Sequence, residues 1–297
     1  MGEPKRHHYI PVFYLKRWCS ADGMLCEFSK PYGQRVNPQR KHPSATGYSQ
    51  ELYTIREYNS EFAQQIESKF FRKVDSLAAD ALLEMENRGN EARWNSGMRS
   101  AWSRFLISLL MRCPEDLELF RESWQQSLFE NNEEFEKKYK NHRKVGDPET
   151  FSEFIHSRSI GEAEFDLFNS YIQLIDHKNL GEKMNEMVWK VIDLKYSSKT
   201  LFTSDRPVIR TNGLAREGGH IILPIGPRRL FLASPLLKTV EKIESIKHSL
   251  LARELNSQVV TSAVKYVYDT TDRSLPFIQK SMLTVHQNRL MESVLRS

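Results

Sequence analysis

A chain of 297 residues, 39% hydrophobic and 27% charged, is long enough to bury a core and too polar for a bilayer. Its longest apolar stretch, from Phe105 to Met111, is interrupted by Ser108 and stops at Arg112, far short of a membrane span. Lys and Arg number 43 against 38 Asp and Glu, and this balance of +5 permits a polyanionic partner without requiring one.

The three cysteines, Cys19, Cys26 and Cys113, are an odd number. They speak against a disulfide framework and for a reducing compartment. No apolar signal core precedes Tyr9, so a cytoplasmic protein without a membrane partner is expected.

In chain order, the first fifty residues are rich in turns. Runs of Gly, Pro, Asn and Ser at 20–23, 30–33, 37–38 and 43–47 punctuate short stretches such as 24–28, which reads as a strand. Asn59 and Ser60 can cap a helix whose apolar residues recur at Phe62, Ile66, Phe70, Val74, Leu77, Ala81 and Met85 until Gly89. A second helix starts at Asn95–Ser96 and runs through Trp102, Phe105 and Leu109 until Pro114 interrupts it. Residues 115–139 read as a charged helix, and two more helices are expected around 148–158 and 161–195. The pattern then changes, with strands at 199–203, 220–224 and 229–233, a helix at 249–262, a strand at 266–268 and a closing helix at 275–295. The expected architecture is a single α+β domain over 1–297. Strands from the N-terminal and C-terminal thirds pack with a predominantly helical centre, 60–195.

No phosphate loop, nucleophile elbow, paired-histidine zinc motif or dinucleotide fingerprint is present. Four polar groups nonetheless sit awkwardly. His7 and His8 are adjacent, so on a strand they face opposite sides, and at most one serves a given site. A histidine titrates near neutrality and suits proton transfer, whereas a purely structural His8 only hydrogen-bonds backbone. Glu67 lies at the edge of an apolar stripe, four residues from both Ala63 and Phe71. Arg112 rides the apolar face that carries Phe105 and Leu109. Each needs a partner when desolvated, and the simplest arrangement is a Glu67–Arg112 ion pair. Asp205 ends a strand just before Arg206–Pro207, as a catalytic carboxylate or as an ordinary turn residue.

A basic arm also stands out. Lys5, Arg6, Lys16, Arg17, Lys30, Arg35, Arg40 and Lys41 alternate with His7, Tyr9, Phe13, Tyr14 and Trp18. Such an arm can meet a phosphate backbone and stack bases, or its aromatics can pack inward while the cations solvate the surface.

The segments His8-Tyr-Ile-Pro-Val-Phe-Tyr-Leu15, Ile66-Glu67, Phe105 to Pro114, Thr203-Ser-Asp-Arg-Pro-Val208, Leu223 to Pro227 and Leu255-Asn256 resemble the domain of unknown function 4238 family. Order and spacing agree from about His7 to Asp269. The chain departs from the family in carrying Leu223-Pro-Ile-Gly-Pro227 where Pro-Leu-Ser-Pro is common, and Cys113 where threonine is usual. The resemblance implies a bacterial cytoplasmic protein and assigns no activity by itself.

Three readings of the polar groups follow. In the first the chain is a phosphodiester-cleaving hydrolase of nuclease type. His8 is its general acid–base, Glu67 and Asp205 are ligands for Mg²⁺ or Mn²⁺, and Arg112 holds the scissile phosphate. His7, Tyr14, Lys16, Arg17, Ser204 and Asn256 are then the candidate binding residues for a nucleic acid. In the second reading the same groups form the pocket of a non-catalytic module that binds nucleic acid or a small ligand, with the Asn256 amide contributing. In the third they are a buried network that pins the termini to the helical centre. All three place Arg112 within reach of Glu67 or Asp205.

Overall fold

Antiparallel pairing between strands from opposite ends of the chain sets the architecture. The computed structural model describes residues 6–53, 70–129, 133–211, 213 and 217–282. Strand β1 (Arg6–His8), the one-turn helix α1 (Val12–Leu15) and strands β2 (Leu25–Ser29), β3 (Asn37–Lys41) and β4 (Tyr48–Gln50) form the first part. The centre is helical: α2 (Arg72–Arg88), α3 (Ser96–Leu109), α4 (Pro114–Phe129), α5 (Glu133–His142), α6 (Phe151–Ser157), α7 (Ile160–Ile175) and α8 (Lys178–Glu186). Strands return as β5 (Val188–Asp193), β6 (Thr203–Ser204), β7 (Ile209–Arg210), β8 (Ile221–Gly226) and β9 (Arg229–Ser234). Helices α9 (Leu237–Glu244) and α10 (His248–Ser262), strand β10 (Val267–Asp269) and helix α11 (Leu275–Ser281) complete the described chain.

One four-stranded sheet has the order β3-β2-β10-β6, with Val267 opposite both Phe28 and Ser204. A second has the order β5-β9-β8-β7, and β1 pairs with β4 alone. Strand alternation divides two hydrophobic cores between the sheet faces. Leu25, Tyr268, Val191, Leu223 and Phe231 belong to one core; Cys26, Phe28, Val267, Ile192, Ile222 and Leu232 belong to the other. The helical centre joins the first core through Trp102 of α3, whose ring meets Phe105 at 5.2 Å and Phe231 of β9 at 5.6 Å. The protein is therefore α+β, with N-terminal and C-terminal strands packed with a helical centre. No helix among the described residues is long and apolar enough to cross a membrane.

Local signals account for several boundaries. Asn95 Oδ1 accepts the Met98 N–H at 2.8 Å and caps α3. Gly89, at a φ of 55°, ends α2. Pro114 opens α4, where its missing N–H costs nothing. The expected start of the first long helix, near Ser60, lies outside the described residues, as does everything expected of the closing helix beyond 282.

Two expectations need correction. Residues 161–195 are two helices and a strand: Val188, Trp189, Val191 and Ile192 suit a pleated surface and lie in register with β9. The charged run at 115–139 is helical in α4 up to Phe129 and in α5 from Glu133, with 130–132 outside the described residues. Within 199–203 only Thr203 joins a ladder, because side chains take the earlier backbone groups. Trp18 Nε1–H donates to the Leu201 carbonyl, and Asn256 bonds the Phe202 N–H and the Thr200 carbonyl.

Candidate functional site

On β1 the two histidines face opposite ways, His7 across from Ser49 and His8 across from Tyr48. His7 is buried and stacks on Tyr53 at 5.6 Å. Its Nδ1 accepts the Tyr53 backbone N–H at 3.0 Å, so in the neutral ring the proton sits on Nε2. His8 lies edge-on to Tyr48 and is hydrogen-bonded to the Ser44 backbone. Its Nε2 is buried and has no hydrogen-bond partner among the described residues, so the bonded nitrogen is Nδ1. A carbonyl partner fixes the proton on Nδ1 and leaves Nε2 as a bare lone pair. His7 Nε2 likewise has no hydrogen-bond partner among the described residues. The neighbouring rings thus present opposite chemistry, a donor on His7 and an acceptor on His8. Burial lowers the pKa of both, and each imidazole is held toward its neutral form.

Arg112 is 1% exposed and makes a two-pronged ion pair with Asp75. Nη2 donates to Oδ1 at 2.7 Å and Nη1 to Oδ2 at 3.1 Å, while the guanidinium carbon lies 4.4 Å from the centre of the Phe71 ring. The expected partners were Glu67 and Asp205. Glu67 lies outside the described residues, and Asp205 is engaged elsewhere. Asp75 carried a readable signal: it stands four residues after Phe71 and three before Ala78, on the buried stripe of α2. Burial raises its carboxyl pKa, with the Arg112 charge and then the electrostatic influence of His8 pulling the other way. Its side chain is 21% exposed, which leaves the carboxylate as the accessible end of the pair. His8, Asp75 and Arg112 therefore form one electrostatic neighbourhood built from β1, α2 and the end of α3.

Asp205 has a different environment. Its carboxylate accepts the backbone N–H groups of Val264, Lys265 and Tyr266 at 2.5 to 3.0 Å, and its own N–H donates to the Tyr266 carbonyl. Burial pushes its carboxyl up to about 6 against the pull of those three donors. The surroundings are a closed polar cluster. Arg206 pairs with buried Asp116 and bonds Cys113, Cys113 Sγ–H donates to Glu115 at 2.9 Å, and Lys265 pairs with Glu115 at 2.8 Å. Burial and the nearby carboxylates raise the Cys113 thiol well above its ordinary value, so it is a poor nucleophile.

The remaining candidates are each tied to a structural task. The buried Tyr14 hydroxyl donates to the Pro224 carbonyl at 2.7 Å and meets Thr203 Oγ1 at 2.8 Å. Ser204 Oγ accepts the Arg206 N–H. Arg17 forks onto both Glu86 oxygens at 2.6 and 2.7 Å. Asn256 holds the 200–202 segment, as described above. Lys16 is exposed and has no carboxylate partner among the described residues. Of the basic arm, Arg40 pairs with Asp22 and Lys41 with Glu27, while Lys5 lies outside the described residues. The aromatics Tyr9, Tyr14 and Trp18 pack inward.

The expected metal ligands are Glu67 and Asp205. Glu67 lies outside the described residues, and the Asp205 oxygens accept from backbone donors; among the described residues no group of three or more His, Cys, Asp or Glu able to hold a metal is found.

No curated protein and no solved structure matches the chain. A family model does: it spans residues 6–273, from the first residue of β1 past the end of β10, and takes in His8, Asp75, Arg112 and Asp205. The chain belongs to that family, described as protein of unknown function, DUF4238.

Proposed function

We propose that the chain is a phosphodiester-cleaving hydrolase of nuclease type in which His8 is the general acid–base and Arg112 the phosphate clamp. The observation that carries this reading is the bare, buried Nε2 of His8 beside the Asp75–Arg112 pair. A buried polar atom without a partner costs free energy, and a substrate hydroxyl or water bonded to it removes that cost. The lowered pKa keeps Nε2 unprotonated at neutral pH, as a base requires. His8 takes the proton of the attacking hydroxyl as its oxygen bonds to phosphorus. The ester P–O bond breaks, and His8 returns the proton to the leaving oxygen. Arg112, flat against Phe71, serves the phosphate by giving up one prong of its Asp75 pair, which brings positive charge to where the phosphate gathers negative charge. The expected Mg²⁺ or Mn²⁺ ligand Glu67 lies outside the described residues, so these steps are written for His8 and Arg112 alone.

A cytoplasmic setting suits the three free thiols, Cys19, Cys26 and Cys113. The partner implied is a nucleic acid. With Arg17, Arg40 and Lys41 in ion pairs, Arg6 and Lys16 are the arm cations best placed to meet it. For Asp205 the structural reading has its own observation, the three backbone N–H groups on one carboxylate.

The test is incubation of the full chain with RNA and with single- and double-stranded DNA, each with and without Mn²⁺, beside His8→Gln and Arg112→Lys. Cleavage that is lost in both variants, with melting temperatures near wild type, is the expected result, and the arms with and without Mn²⁺ read whether a metal takes part. No cleavage of any nucleic acid, or full cleavage by His8→Gln, refutes the proposal.

A further inference from the structure

A cleft of about 530 Å³ opens where the 198–202 segment meets α10 and the turn that follows β10. It shares no lining residue with the His8 neighbourhood. Four cations converge on it from four parts of the chain: Lys199 before β6, Arg228 in the β8–β9 turn, Arg253 on α10 and Arg273 after β10. Only Arg253 has a carboxylate within 4 Å among the described residues, and that is its own neighbour Glu254. Arg228 is instead anchored by Nη1 to the Ser197 carbonyl, which fixes its direction without neutralising it.

Asp269 is the single acidic residue in the lining, and it is 2% exposed. Its oxygens accept from Ser274 Oγ–H and the Thr270 N–H, both at 2.7 Å. One carboxylate against four cations leaves a formal excess of three positive charges in the lining. Like charges gathered from separate elements repel one another, and apart from Arg253 no carboxylate among the described residues pairs with them. A bound anion resolves that repulsion.

The rest of the wall narrows the ligand class. On one side half-buried Phe277 packs against the core residue Phe202, ring centres 6.0 Å apart, and its outer part offers an apolar surface to a flat group. Asn256 makes that side rigid by holding Thr200 and Phe202 through both ends of its amide. A cleft of this volume takes a molecule of nucleotide size.

We infer that this cleft is a binding site for a nucleoside phosphate, with Arg228 and Arg273 on the phosphates and Phe277 against the base. The site is separate from the proposed nuclease centre, so binding here stands or falls without reference to cleavage.

Titration calorimetry on the full chain with ADP, pyrophosphate, inorganic phosphate and adenosine tests the assignment. ADP should bind and raise the melting temperature, pyrophosphate more weakly, adenosine weakest of all. Arg273→Gln should weaken ADP binding about 10-fold while leaving the melting temperature without ligand unchanged. Arg228→Gln should act in the same direction, and Arg273→Gln keeps the test decisive if loss of the Ser197 anchor unfolds it. Lys138→Gln, an exposed cation of α5 outside the cleft lining, should bind ADP as wild type does. No binding of ADP at millimolar concentration, binding unaltered in Arg273→Gln, or adenosine binding as tightly as ADP overturns the inference. Pyrophosphate matching ADP overturns the assignment of the base to Phe277.

Discussion

Asp205 and His8 are both buried ionisable groups at the ends of short strands, yet their polar atoms are treated in opposite ways. Three backbone N–H groups from the α10–β10 connection converge on the Asp205 carboxylate. The group thereby locks that connection to β6, which in turn holds β10 in its sheet. At His8 the backbone supplies one partner and leaves Nε2 without another among the described residues. Satisfied buried groups hold a fold in place; an unsatisfied one is tolerated where something else is to be bound. The comparison separates a structural carboxylate from a candidate chemical base, although the sequence nominates both for the same site.

The largest effect should come from removing the satisfied group. Asp205→Ala orphans three buried N–H donors and should cost about 4 kcal/mol of unfolding free energy in chemical denaturation. A loss below about 1 kcal/mol would place Asp205 outside the structural role assigned to it.

Arg112→Leu comes next, at about 3 kcal/mol, because it strands the Asp75 carboxylate in a partly buried position. The companion Asp75→Asn should cost at least as much, since it takes the Asp75 counter-charge from the 1% exposed Arg112 guanidinium and that group cannot shed its proton, whereas an orphaned Asp75 carboxyl can take one up. A markedly smaller loss for Asp75→Asn would mean that Arg112 has a second anionic partner.

The pH dependence sharpens the contrast through its sign. Asp205 is raised from 3.8 to about 6, so the native state binds a proton that the unfolded chain releases across that interval. Its contribution is present in full below 3.8 and is lost as pH rises through 6. The two histidines are lowered from 6.5, and their contribution is present above 6.5 and lost as pH falls below it. Between pH 6 and 4 the stability advantage of wild type over Asp205→Asn should therefore widen as acid is added. His8→Gln should instead soften the acid-side loss. Denaturant titrations across this range read both slopes, and a gap between wild type and Asp205→Asn that narrows toward pH 4 contradicts the assigned shift.

The smallest effect on stability belongs to His8→Gln at neutral pH. Its amide keeps the Ser44 bond and removes an already unsatisfied nitrogen, so stability should move by less than about 1 kcal/mol. A loss above about 2 kcal/mol, without any loss of cleavage, would move His8 to the structural side of the comparison.

The sequence by itself determined what local chemistry governs. The periodic apolar stripes of α2, α3 and α10, the Asn95 cap, the Gly89 stop and the short apolar runs of β8 and β9 were all legible, because each is written in residues close together along the chain. So was the need of Arg112 for a carboxylate, and the opposite facing of His7 and His8. What only the tertiary structure decided is which groups meet. Asp75 is 37 residues from Arg112, and their meeting depends on how α2 packs beside the chain that leaves α3. The fate of Asp205 depended on a connection some sixty residues away supplying three N–H groups at once. Strand β5 was hidden in a stretch that reads as helix, because its ladder partner β9 follows the intervening strands β6, β7 and β8. The charge on the cleft was hidden too, since Lys199, Arg228, Arg253 and Arg273 are unremarkable singly and become a site only when four elements bring them together. Local pattern encodes which face is buried; long-range pairing encodes what is waiting there.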